Sequence, residues 1–390
     1  MRKGRQKHRV IILTLLFYMA GIVLVFTLCS SKTISESERR RLAQKPKLTA
    51  ASLTDKSFME DMETYLLDHF PFRDGLRRIK AYFAYDVLRQ KENNDIYVVD
   101  GYASKLEYPL DGASVRRLAG KMTSLKHQYF PNQNTWYAMV PDKNYFLAEQ
   151  NGYPSIDYTQ MTGILMQELE DSGQNWNDMD ISSSLDIGDY YRTDTHWRQE
   201  QLFDTAAKIG EALGVGEYLK LQKADFEEHA IENFYGVYYG QAALPMKPDT
   251  IIYLTDETIE KASVWNLEEN ILDGKVTMSE EKGAVLKPVY RLDKLTEEMS
   301  LDKYDVFLGG ASSIQVIQSP LAATDKRLII FRDSYTSSLA PLFLEAYREI
   351  TLVDLRYISS DLIGEYVDFE GADILFLYST AVVNHAAVLK

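Results

Sequence analysis

Short apolar runs broken by polar turns recur along this chain and predict strands alternating with helices over most of its length. Towards the C-terminus, Asp305-Val-Phe-Leu308, Leu328–Phe331, Ile350-Thr-Leu-Val353 and Ile374-Leu-Phe-Leu377 are nearly continuous in apolar residues. Runs of that length without alternation suit strands covered on both faces. Helix-length segments separate them, which predicts a Rossmann-like, layered α/β domain. Upstream, Asp95–Val99 and Thr135–Val140 read as strands, with Asp100-Gly101 as a turn after the first. Apolar residues at helical spacing predict helices over Val115–Tyr129, Met161–Leu169 and Gln199–Leu213, the last closed by Gly214. Ser182–Ile187 reads as a further strand, and residues 225–300 as loops and short strands laid over the main sheet. Two more helices are expected near the start, one carrying Phe58, Met62, Tyr65, Leu66 and Phe70, the other Leu76, Ile79, Tyr82, Phe83 and Leu88, joined at Pro71.

The N-terminus breaks this pattern. Val10 to Cys29 holds twenty residues without a charge, and at a rise of about 1.5 Å per residue that spans a hydrocarbon core of roughly 30 Å. Arg2, Lys3, Arg5, Lys7 and Arg9 precede it with no acid among them. Basic residues on that side predict a cytoplasmic tail over 1–9, a single-pass signal anchor over 10–29 and an extracytoplasmic remainder; a cleaved signal peptide is the alternative. Ser31–Thr54 is polar and charged, so 30–54 reads as a linker without a fixed fold and 55–390 as the exported domain. The formal net charge is -14, and the tail is basic, so the exported body is more acidic still. That argues against nucleic acid as a partner. Cys29 is the only cysteine, which excludes an internal disulfide or a thiolate metal site and suits a prokaryotic cell envelope. No Gly-rich phosphate loop is present, and no cofactor is expected.

Chemistry enters at two stretches. The run Leu328–Phe331 passes straight into Arg332-Asp333-Ser334-Tyr335, and Leu339, Leu342, Phe343 and Ala346 then follow at helical spacing. Ser334 therefore falls on a strand-to-helix turn, the position from which α/β sheets present ligands and nucleophiles. Asp333 and Ser334 would equally serve as helix caps. The second stretch contains Asp194 and His196, two apart, so that an extended segment sends both side chains the same way. An aspartate beside a histidine fixes the imidazole and stabilises its protonated form, which is half of a Ser-His-Asp arrangement, and a serine needs such a base to become a nucleophile. Spacing alone does not bring 194–196 to 334, and exposed or metal-binding pairs of this kind also occur. His127, His229 and His385 stand isolated, and no metal site is expected.

Residues 189–200 and 327–357 resemble the DHHW family and the related alginate O-acetyltransferase-like group of the SGNH-hydrolase-like superfamily. Tyr191-Arg-Thr-Asp-Thr-His-Trp197 and Arg332-Asp-Ser-Tyr335 carry the resemblance, which extends through Phe70-Pro-Phe-Arg73, Asn94-Asp-Ile-Tyr97, Val140-Pro-Asp-Lys143 and Asp354-Leu-Arg-Tyr357. It implies an SGNH-hydrolase-like three-layer α/β/α domain with Ser334 as nucleophile, His196 as base and Asp194 as orienting carboxylate. Trp197, Tyr335 and Tyr191 would support them. Arg73 and Lys143 would bind substrate or support the triad, or serve as structural ion pairs. The sequence departs from the pattern at Thr195, where the family's name has a histidine, at Ser337-Ser338, where relatives often carry Gly-Asn, and within Gly309-Gly310-Ala311-Ser-Ser313, where relatives tend to have Gly-Gly-Asn-His and Ala311 replaces an asparagine able to serve as an oxyanion donor. Main-chain amides near Tyr335 are then the expected donors. The implied activity is transfer of an acetyl group to a cell-envelope or secreted polysaccharide, or its removal, with a membrane-bound O-acyltransferase as donor partner. A catalytically silent polysaccharide-binding or assembly protein on the same fold, or an anchor that only tethers an acyltransferase complex, are the alternatives.

Overall fold

The structure, a computed structural model, describes residues 11–18, 20–21, 24, 26, 32–35, 37–272, 275–277, 283–296 and 302–390. The chain divides into two compact units, one of Met1–Asn93 with Gly240–Pro245, the other of Asn94–Tyr239 with Met246–Lys390.

The second unit is an α/β fold around an eight-stranded sheet. Its strands in chain order are β1 (Thr135–Val140), β2 (Asn177–Asp178), β3 (Ser263–Asn266), β4 (Leu286–Pro288), β5 (Ile314–Gln318), β6 (Arg327–Arg332), β7 (Glu349–Val353) and β8 (Asp373–Ser379). In space they run β4-β3-β5-β7-β6-β8-β1-β2. The five from β7 to β2 are parallel, and the other three add an antiparallel edge. Alternation assigns the core: Leu328 and Ile330 of β6 enter one apolar layer while Ile329 and Phe331 enter the other, and Leu375 and Leu377 of β8 oppose Ile374 and Phe376 in the same way. Apolar packing on both faces explains why these strands are nearly uniform in hydrophobicity. Helices Gly112–Tyr129 and Tyr158–Asp171 cover the second layer through Val115, Leu118, Met122, Met161 and Leu165.

Four of the expected elements take another form. Asp305–Leu308 is not a strand: Lys303–Val306 is a 3-10 turn, and Phe307 makes a single bridge to Tyr290. Leu308, Gly309 and Gly310 follow in succession at φ +61, +84 and +88, so the chain turns before it can extend. The sheet instead uses β5, whose apolar residues are interrupted by Gln315 and Gln318. Ser182–Ile187 holds a 3-10 turn at Ser182–Ser184, whose hydroxyls bond Asp180 and the Ile181 carbonyl in competition with a ladder. Helix Phe203–Ala212 starts later than expected, after a 3-10 turn at Gln199–Gln201. The segment after Ser334 winds as Thr336–Leu339 and a 3-10 turn at Ala340–Phe343, because Pro341 has no amide to continue the α-helix. Within 225–300, β3 and β4 belong to the sheet itself, and Glu227–Phe234 pairs with Asp249–Thr255 as an antiparallel hairpin.

In the first unit the segment read as a linker is folded where described. Ile34–Ser35 pairs with Arg40–Arg41, and the buried carboxylate of Asp68 accepts from the Ala43 amide at 2.8 Å and from Arg40 at 2.9 Å. The bond to Arg40 holds Asp68 down at about 2. Helix Ser57–Asp68 is followed by Arg73–Tyr82, which continues as a π turn over Phe83–Val87. The apolar set Leu76, Ile79, Tyr82, Phe83 and Leu88 faces outward. Among the described residues no helix is long and apolar enough to cross a membrane. Of the span predicted over 10–29, residues 11–18, 20, 21, 24 and 26 are helical; the basic tail, Cys29 and the rest of that span lie outside the described residues.

Candidate active site

β6 delivers its last residue, Arg332, to the carboxyl edge of the parallel strands, and the chain then turns sharply. Asp333 shapes that turn. Its Oδ1 accepts from the Tyr335 amide at 3.1 Å and its Oδ2 from the Ser379 amide at 2.7 Å, which pins the turn to the end of β8. Asp333 thus folds the turn ahead of the helix Thr336–Leu339 and does not cap it, since the N-cap is Tyr335 and no side chain caps it; the capping expected of Asp333 and Ser334 is not made, and the hydroxyl of Ser334 is left for another partner. Arg332 is buried beneath, donating to Ser337 Oγ at 2.7 Å and to the Gln315 side chain on β5; burial pushes its guanidinium below its ordinary range.

The second arm is a tight loop. Tyr190 bridges to Trp197, the Tyr191 amide donates to the His196 carbonyl at 3.0 Å, and the Arg198 amide to the Asp189 carbonyl at 2.7 Å. The loop is held from outside at several points. Asp249 accepts from the Arg192 and Thr193 amides at 3.0 and 2.8 Å, and Lys143 Nζ donates to the Tyr191 carbonyl at 2.9 Å. Lys143 is buried, and desolvation brings it down to about 7, against the opposing pull of Asp194 and Asp249.

These two arms meet. His196 Nδ1 donates to Asp194 Oδ1 at 2.6 Å, and Ser334 Oγ lies 2.7 Å from His196 Nε2. Asp194 is fully buried, His196 nearly so and Ser334 half-buried. The carboxylate is held as well: its Oδ1 accepts from the His196 amide at 3.1 Å and its Oδ2 from the Val237 amide at 2.8 Å. An imidazole bonded on one side to a carboxylate and on the other to a hydroxyl is the arrangement through which serine loses a proton to histidine.

Three neighbours of this chain carried no signal in the sequence. Tyr304 stacks on the imidazole with ring centroids 3.9 Å apart and planes at 5°, and its hydroxyl donates to Ser338 Oγ at 2.9 Å. Gly236 lies so close that a Cβ there would come within 2.2 Å of Asp194 Cβ and 2.5 Å of its amide nitrogen. Tyr238 donates to Thr195 Oγ1 at 3.0 Å. The carbonyl of Thr195 also accepts from the Tyr335 hydroxyl at 2.7 Å. Close approach of segments about forty residues apart brings Gly236 and Tyr238 here, and no local pattern announces it.

The remaining residues singled out from sequence fall as follows. Trp197 ties the arms together, its indole N–H donating to the Tyr335 carbonyl at 2.8 Å and the ring packing edge-on to Tyr335 at 5.4 Å. Tyr191 is fully buried, edge-on to Phe234. Gly310 has its amide turned to the Phe307 carbonyl at 3.3 Å, and a Cβ there would come within 2.5 Å of Asp305 Oδ1. Arg73 belongs to the first unit, where its guanidinium holds Glu38. Of the main-chain amides near Tyr335, that of Tyr335 itself is committed to Asp333, while that of Ser334 makes no hydrogen bond among the described residues. Among the described residues there is no group of three or more His, Cys, Asp or Glu that could hold a metal ion.

No family model matches the sequence, and no curated protein does. The structure is similar to solved ones. A DHHW family protein from Eubacterium siraeum matches with a TM-score of 0.55 and 21% identity, over 75% of this chain and 93% of that one. PatB1 of Bacillus cereus, solved with a sulfonyl adduct, matches with a TM-score of 0.52 and 16% identity, over 74% and 95%. The O-acetyltransferase domain of Pseudomonas putida AlgJ is also matched, at a TM-score of 0.42 and 12% identity over 74% and 92%. What this chain shares with the DHHW family protein and with PatB1 is the fold.

Proposed function

We propose that this protein is a membrane-anchored, extracytoplasmic serine O-acetyltransferase, or acetylesterase, acting on a cell-envelope or secreted polysaccharide from an SGNH-hydrolase-like α/β/α domain. The observation that carries the reading is the unbroken chain Asp194–His196–Ser334, with links of 2.6 and 2.7 Å. His196 takes the hydroxyl proton as Ser334 Oγ attacks the acetyl carbonyl, and Asp194 stabilises the imidazolium that forms. The proton passes to the leaving oxygen as the acyl–oxygen bond breaks, which leaves an acetyl ester on Ser334. A sugar hydroxyl then gives its proton to His196 and attacks that ester, and Ser334 is restored. Water in place of the sugar makes the same cycle an esterase.

The oxyanion of each tetrahedral intermediate needs donors. The Ser334 amide, without a partner among the described residues, is the one assigned here; the amides of Tyr335 and Gly310 are bonded elsewhere. The resemblance to alginate O-acetyltransferase-like proteins points to a membrane-bound O-acyltransferase as donor, since acetyl-CoA is confined to the cytoplasm. PatB1 has been solved with a sulfonyl adduct, and sulfonylation is a reaction of activated hydroxyls. The corresponding test is to treat the full-length chain with phenylmethylsulfonyl fluoride and map the adduct by peptide mass spectrometry. Modification confined to Ser334 is expected. A folded protein that stays unmodified would favour a catalytically silent polysaccharide-binding protein, a reading to which Ala311 lends weight because it offers no side-chain donor.

A further inference from the structure

The helix Arg73–Tyr82 and its continuation Phe83–Val87 are built inside out. An amphipathic helix ordinarily turns its apolar stripe to the core. Here Phe72, Leu76, Ile79, Phe83 and Val87, spaced four, three, four and four residues apart and so on one stripe, are all exposed, from 47% at Leu76 to 80% at Phe72. The opposite stripe holds Ala81 and Ala84, which are buried, with Arg73 and Arg77, whose guanidinium groups go to Glu38. Phe70, in the turn before the helix, is exposed as well. A contiguous face of this size on one helix is the mark of a surface made to meet something apolar.

Charge and position say what. Residues 32–93 carry 13 Lys and Arg against 10 Asp and Glu, whereas the second unit carries 25 against 47. An anionic surface would repel the second unit and accept the first. Phe26, near the outer end of the predicted anchor, packs edge-on against Phe70 at 5.6 Å, so the turn Phe70-Pro-Phe72 stands where the apolar segment ends. Phe and Leu on the apolar face are characteristic of amphipathic helices that lie in the membrane–water interface.

We infer that the stripe Phe72–Leu76–Ile79–Phe83–Val87, with Phe70, lies in the interfacial layer of an anionic lipid bilayer, with the helix parallel to the membrane plane. The inference relies on the proposed anchor for its location and not on acetyl transfer. The test uses the full-length chain in nanodiscs of phosphatidylcholine with phosphatidylglycerol, in a Cys29→Ser background. A nitroxide is placed in turn at Phe72→Cys, Ile79→Cys and Phe83→Cys, with Leu362→Cys, exposed in the second unit, as reference. Collision rates with oxygen, which partitions into lipid, and with a water-soluble nickel chelate are compared. A severalfold higher oxygen-to-nickel ratio at all three positions than at 362 is expected, falling when phosphatidylglycerol is left out. A ratio equal to that at 362, or exclusion of both reagents as under a protein partner or a second copy, overturns the inference. Phenylmethylsulfonyl fluoride labelling of Ser334 is read on the same samples and is independent of depth, so failure of one reading is separable from failure of the other.

Discussion

The loop 190–197 and the helix 73–87 are both strongly patterned in sequence, yet they use their side chains in opposite ways. In the loop nearly every group is consumed internally: Asp194 by His196 and Val237, Trp197 by Tyr335, and the Tyr191 carbonyl by Lys143. In the helix the largest apolar side chains point away from the protein and two alanines point in. A pattern therefore tells which element forms and leaves open what that element faces. The closed region holds the proposed triad in one hydrogen-bonded arrangement, and the open one presents the apolar face for which a lipid surface is proposed.

Predictions that would break this contrast begin with the closed region. Asp194→Asn leaves the shape in place but removes the charge that fixes the imidazole, and should slow acylation of Ser334 by about 10⁴-fold; pre-steady-state acetylation kinetics would show it, and an unchanged rate would mean the pair is structural. Gly236→Ala forces Asp194 to shift, since its Cβ has nowhere to go. A displacement of order 1 Å should cost about 10²-fold in the same assay, with little loss of secondary structure by circular dichroism. In the sheet, Ile330→Ala should lower stability by about 2–5 kcal/mol in denaturant unfolding, because Ile330 is 1% exposed. At the open face, Ile79→Ala should change stability by no more than about 0.5 kcal/mol. A cost for Ile79→Ala comparable to that for Ile330→Ala would mean the helix face is covered by the protein itself.

A pH experiment sharpens the closed region further. Lys143 is down at about 7 in the folded protein against 10.5 for an ordinary lysine. Below pH 7 both states carry the charge and the folded state bears the full cost of burying it. As pH rises from 7 towards 10.5 only the unfolded chain still binds that proton, so the cost is progressively relieved and stability rises. Lys143→Met should remove that rise, read as the difference in urea midpoint between the two proteins across the window. Parallel curves would mean Lys143 titrates normally.

How much of this was legible follows from where each residue gets its neighbours. The strands β1, β6, β7 and β8 were readable because a strand buried on both faces must be apolar throughout. β5 was missed because Gln315 and Gln318 interrupt its apolar residues, so Ile314-Gln-Val-Ile-Gln318 forms neither a continuous apolar run nor a clean alternation; Gln315 is bonded to Arg332 beneath the site. The run Asp305–Leu308 misled, since three consecutive apolar residues fit a buried turn as well as a strand. Asp194, His196 and Ser334 were found through local motifs, and the fold similarity to a DHHW family protein agrees with the family those motifs suggested. Tyr304 and Gly236 act through contacts that only the tertiary fold creates, and with 26 tyrosines and 21 glycines in the chain nothing local marks either.

The most direct test of the central claim is intact-mass spectrometry of the full-length chain in detergent after brief exposure to p-nitrophenyl acetate, with Ser334→Ala alongside. The account predicts one acetyl adduct on the wild-type protein and none on the variant. An adduct present equally on both, or absent from a wild-type protein shown to be folded, would contradict Ser334 as the nucleophile.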